Sequence, residues 1–158
     1  MRLKPVAAIL AVALGTTAVG LAAAPPPGKA ALNAVAARQA QMKRLREATK
    51  AINGYLQGAH DDLGQVRAAA ATLQDVGAKM PRLFPRGTAV GVGTSRARPA
   101  IWTEQAAVGR RIAGFQAAAA GFARAAASGD KAQIGQGFRA VGGACKACHD
   151  PYQAPPLK

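Results

Sequence analysis

One apolar seam in the C-terminal half of the chain leaves little choice of fold. Ile101, Gln105, Val108, Ile112, Phe115, Ala119 and Phe122 recur at alternating steps of four and three, a spacing that gathers them on one face of a helix and on neither face of a strand. A helix with one apolar stripe must bury it against further elements, and the rest of the chain supplies them. Leu32, Val35, Met42, Leu45, Ile52 and Tyr55 with Leu56 repeat at the same steps, so the pattern predicts a helix from Lys29 to about Leu56, closed by Gly54 and Gly58. A second helix is expected from about Asp61 to Lys79, with Leu63, Val66, Ala70, Leu73, Val76 and Met80 inward and Pro81 as its stop. His60 reads as a surface residue at that helix start. Residues 81–99 carry three prolines and three glycines and no apolar period, which marks a long crossover. The seam helix follows Pro99, which suits a first turn. After Ser128-Gly129-Asp130, the pair Asp130 and Gln133 resembles a capping box. The last helix places Ile134, Phe138, Val141, Cys145 and Cys148 on one face, and Pro151 is expected to end it. Four amphipathic helices, joined by short links and one crossover, predict an all-α chain folded as an antiparallel four-helix bundle over residues 29–158.

The interior of such a bundle is short of bulk. Half the residues are apolar, but alanine dominates and aromatics are only 4%, so small side chains leave the core thin unless something large and apolar is added. With 21 basic against 7 acidic residues the formal charge is +14, which directs the chain toward acidic partners and says nothing about fold. Charge alone would also suit a nucleic-acid binder. No binding motif accompanies it, and the N-terminus argues against it as well. Arg2 and Lys4, the apolar run from Val6 to Leu14 and the small residues Ala22-Ala23-Ala24 read as a signal peptide over 1–23, with 24–28 as linker. The chain is therefore expected in the periplasm, without stable membrane insertion after cleavage.

Near the C-terminus stands Cys145-Lys146-Ala147-Cys148-His149. C-x-x-C-H is the attachment signature of c-type haem. The two thiols add across the porphyrin vinyl groups as thioethers, and the next residue reaches the iron as an axial ligand. On a helix the three fall at i, i+3 and i+4 and share a face. Cys145 and Cys148 are the only cysteines and His60 the only other histidine, so a zinc site lacks ligands. One covalent haem c, with iron on His149, would also supply the missing apolar bulk.

Four pieces then occur in a fixed order: Arg38-Gln39-Ala40-Gln41-Met42-Lys43, Leu83-Phe84-Pro85-Arg86-Gly87-Thr88, Ala97-Arg98-Pro99-Ala100-Ile101-Trp102 and the stretch Val141 to His149. With them the chain resembles the class II cytochromes c, the cytochrome c′ group and its low-spin relatives, from about Arg38 to Tyr152. It departs from the family in Gln153, where a basic residue often follows the aromatic. The resemblance puts Met42 at the distal position, as a second iron ligand beside His149. Arg38, one turn earlier, is placed to meet a haem propionate through its planar fork, and Gln39 beside it is a further cofactor contact. Trp102 and Phe84 read as packing near the haem, and Met80 as core.

Two functions are implied. In the first, His149 and Met42 close the iron and the chain carries electrons between periplasmic redox proteins, its partners being acidic. In the second, His149 is the sole protein ligand and an apolar distal side admits nitric oxide or carbon monoxide. The available sulfur weights the sequence toward the carrier. No acid, base or nucleophile constellation points to an enzyme. Family members often pair through their first two helices, so a homodimer is a further expectation.

Overall fold

The computed structural model describes residues 28–156; the expected signal segment lies outside them. Five helices follow in order: α1 Lys29–Leu56, α2 Leu63–Lys79, a short α3 Ala100–Thr103, α4 Gln105–Ser128 and α5 Lys131–Tyr152, with a 3₁₀ turn Met80–Arg82 after α2. The four long ones form the antiparallel bundle that the pattern predicts. Their starts follow local chemistry. Asp62 accepts from Gln65 N at 3.1 Å, so α2 begins at Leu63, two residues after the expected start. Asp130 caps α5 through Ala132 N and Gln133 N, at 2.8 and 3.0 Å. Gln133 returns to the Asp130 carboxylate and not to its backbone N–H, so only half of the capping box forms. Gly129 ends α4 at φ 75°, a left-handed turn that glycine adopts without steric cost.

The seam of α4 is the spine of the core. Val108, Ile112, Phe115, Ala119 and Phe122 are buried against Ile52 of α1, Val66, Leu73 and Val76 of α2, and Ile134 and Val141 of α5. Each full-sized apolar side chain taken from water contributes about 1.5–3 kcal/mol. Small residues set the spacing. A Cβ on Gly137 would lie 3.2 Å from Phe122 Cα, so α5 and α4 approach as closely as glycine permits. Met80 is buried, as expected.

The structure corrects three expectations. The seam helix is broken at Glu104, whose φ −106° and ψ 41° are not helical; α3 is thereby detached, and Gln105 starts α4 exposed and not on the buried stripe. Pro151 lies inside α5, which continues to Tyr152. The turn survives because Tyr152 is buried, its hydroxyl donates to Glu104 at 2.8 Å, and Arg98 N donates to Tyr152 O at 2.9 Å. His60 is half-buried and not a surface residue, with Nε2 3.0 Å from Ala51 O and its ring against Gly54.

The bundle is uneven. α1 packs on α2, α2 on α4 and α4 on α5, whereas α1 and α5 meet only sparsely. This thin side adjoins the end of the bundle where the crossover passes between the first half of α1 and the end of α5. Among the described residues no helix is long and apolar enough to cross a membrane.

Candidate haem-attachment site

Cys145, Cys148 and His149 occupy the last two turns of α5, beside the thin α1–α5 side. Both thiols are free and half-buried. Burial pushes each above the usual thiol range, Cys145 further through its neighbour Cys148, while Arg111 opposes the rise at Cys148. They therefore stand at neutral pH as thiols, the form that adds across a vinyl group. The His149 ring is more exposed, yet its imidazole is held below the usual value, first by desolvation and then by the charge of Arg96, with Asp150 opposing. A neutral imidazole keeps a lone pair for a metal.

Two observations test whether the surroundings suit a porphyrin. Half-buried apolar side chains, packed on the core but not covered, are found on the elements around that end of the bundle: Met42 and Leu45 on α1, Phe84 in the crossover, Trp102 on α3, and Phe138 and Ala144 on α5. They are the lining that a flat apolar group would complete. The second observation is Arg38, only 5% exposed. Its two terminal nitrogens donate to Leu83 O and Thr88 Oγ1 (3.2 and 2.9 Å) and to Thr88 O and Ser95 Oγ (2.9 and 2.8 Å), and its guanidinium lies 5.2 Å from the Phe84 ring centroid. Every one of these acceptors is neutral, and burial lowers the guanidinium's proton affinity. A buried cation without a carboxylate is costly; a propionate would offset it through charge and not through the expected fork, because both terminal nitrogens are already spent on the crossover. The residues fit the group.

The sequence-predicted residues do not all converge. Cys145, Cys148 and His149 share one face of α5, and Met42 lies on the inward side of α1. Gln39 turns away: it is exposed, and its amide is spent on Thr94, donating to O and Oγ1 at 2.9 Å and accepting from Oγ1 at 3.2 Å. It fastens the crossover. Sequence reasoning missed Thr88 and Ser95, each 1% exposed and both receiving Arg38. Nothing in a glycine-rich polar loop signals that burial.

A four-helix bundle that carries this motif on its last helix is a c-type cytochrome of the bundle kind. The Cytochrome C′ family profile matches residues 33–153, and the chain belongs to that family, whose cofactor is one covalent haem c with iron. Cytochrome c′ of Rhodopseudomonas palustris is 36% identical over 124 residues, covering 76% of this chain and 81% of its own. Cytochrome c-554 of Cereibacter sphaeroides is 42% identical over 74 residues, 46% of this chain and 48% of its own. Among solved structures, a cytochrome c′ described as having ligand-controlled dimer dissociation superposes with a TM-score of 0.74 at 29% identity, over 81% of this chain and 99% of that one. A carbon-monoxide-bound variant of Alcaligenes xylosoxidans cytochrome c′ gives 0.71 at 28% identity, over 79% and 97%.

Proposed function

We propose that the chain is a periplasmic c-type haem protein that takes up a small uncharged diatomic ligand, nitric oxide or carbon monoxide, on the α1 side of its haem. One observation carries the reading. On the inward stripe of α1, Val35, Met42 and Leu45 are apolar, and the strong donor among them, Arg38, has both terminal nitrogens committed to Leu83, Thr88 and Ser95. A ligand arriving there meets an apolar wall, and distal polarity decides which ligands a haem retains. Carbon monoxide and nitric oxide need little help from a donor. The carbon-monoxide-bound relative supports the reading. It displaces the electron carrier that the sulfur of Met42 suggested from sequence.

When bound, the haem supplies an iron centre that binds small ligands and changes oxidation state. The chain's residues do the rest: Cys145 and Cys148 tether it, His149 holds the iron from α5, Arg38 offers its buried charge to a propionate, and Met42 bounds the space on α1. Export through residues 1–23 would deliver the chain to the compartment where such haems are attached. Pairing of two copies is read onto the shallow apolar groove between α1 and α2, lined by Ala40, Ala48, Ala68 and Ala69. Arg44, at its rim, is tied to Asp75 at 2.8 Å, which tempers the basic charge there.

Met42 itself favours a second reading, in which its thioether closes the iron and the chain carries electrons to acidic partners. Optical spectra of the oxidised and reduced protein separate the two. A high-spin spectrum, carbon monoxide binding readily to the ferrous form, and no change of spin state in Met42→Ala support the gas-binding reading. A low-spin native spectrum that turns high-spin in Met42→Ala overturns it, because only loss of a bonded sulfur opens a sixth site.

A further inference from the structure

Beyond α5 the chain runs back along its own crossover. Ala97 pairs with Gln153 in an antiparallel bridge, Ala154 N donates to Arg96 O at 2.8 Å, and Arg98 N to Tyr152 O at 2.9 Å. The last backbone bond of α5 runs from Gln153 N to His149 O at 2.9 Å. Residues 96–98 are thus docked on the turn that carries the iron ligand. Arg96 is half-buried there, and its Nε donates to Ala154 O at 2.7 Å, which fixes the side chain against the tail. No carboxylate forms an ion pair with it among the described residues. The other charge near His149, Asp150, is already engaged by Lys146 at 2.6 Å. Glu104 accepts from the Tyr152 hydroxyl at 2.8 Å.

We propose that Arg96 is an electrostatic positioning residue for the haem: its fixed, unpaired positive charge on the His149 side holds the iron toward the ferrous state and so sets the reduction potential. The proposal rests on covalent haem with His149 on iron, and is independent of whether Met42 is a ligand. The bonds of Arg96 to Ala154, and of Gln153 N to His149 O, hold this charge against the end of the turn that carries His149. A fixed positive charge there disfavours the additional positive charge of ferric iron. Partial burial limits screening by salt.

The test is a spectroelectrochemical titration of the haem-loaded protein with Arg96→Gln, Arg96→Lys and Arg98→Gln, after intact mass has confirmed covalent haem in each. Arg98 lies on the same strap, is exposed, and donates from Nε to Gln153 O at 3.2 Å, so its variant controls for lost charge and a loosened tail. Arg96→Gln should lower the ferrous-to-ferric ratio at a fixed applied potential on the order of tenfold, about 59 mV for one electron. Arg96→Lys should restore most of it, and Arg98→Gln should change the ratio much less. An unchanged potential in Arg96→Gln, an Arg96→Lys as low as Arg96→Gln, or an equal shift in Arg98→Gln would overturn the proposal. An apo mass in the unaltered protein would instead overturn the haem reading beneath it.

Discussion

Arg38→Ala removes four hydrogen bonds at once from a side chain that is 5% exposed. Bonds from a charged donor are each worth about 1.5–3 kcal/mol, but the loss is smaller than their sum. Ser95 Oγ keeps its 2.7 Å bond to Thr88 O, and Thr88 Oγ1 its 2.8 Å bond to Pro85 O, so the crossover retains its internal ties. What disappears is the fastening of residues 83–95 to α1, together with the contact on Phe84, itself worth about 0.5–2 kcal/mol. Against this, the variant no longer buries a cation, whose desolvation its neutral acceptors offset only in part. The balance is a destabilisation of about 2–4 kcal/mol. Arg38→Lys should recover less than half of it, because one ammonium cannot span acceptors that a planar fork reaches in four directions. Denaturant unfolding of the haem-loaded protein measures the effect, and limited proteolysis should find the crossover opened first. A variant within about 0.5 kcal/mol of the unaltered protein, with the crossover equally resistant, would contradict this account of Arg38.

Two glycines should respond in opposite directions to alanine. At Gly137 the new Cβ meets the Phe122 backbone at 3.2 Å and its ring at 3.3 Å, so Gly137→Ala should lower the unfolding midpoint by an overpacking cost of about 1–3 kcal/mol. At Gly109 nothing lies within 4 Å, and Gly109→Ala should stabilise by about 0.5–1 kcal/mol through helix propensity. The hydrogen bond to Glu104, then burial, raises the phenol of Tyr152. A raised folded value means that this contribution to stability is complete below about pH 10 and is lost as pH rises through the shifted value; alkaline unfolding curves should lose that limb in Tyr152→Phe.

Whatever depends on residues close together along the chain was legible before any packing was known. The stripes of α1, α2 and α4, the cap at Asp130, and the common face of Cys145, Cys148 and His149 all follow from spacings of three and four. The attachment triplet could be read for that reason, since its chemistry and geometry lie within one helical turn and a residue. The remaining features join residues far apart. Arg38 meets Thr88 across 50 positions and Arg96 meets Ala154 across 58. Pro151 remains helical because Glu104, 48 residues before Tyr152, receives its hydroxyl. Gln39 belongs to the crossover for the same kind of reason. A local pattern fixes which face of a helix is apolar, but the partner that an outlying polar group finds depends on how the helices and the crossover are packed. That packing is a property of the whole chain, and it put a buried cation at Arg38 and a free one beside His149.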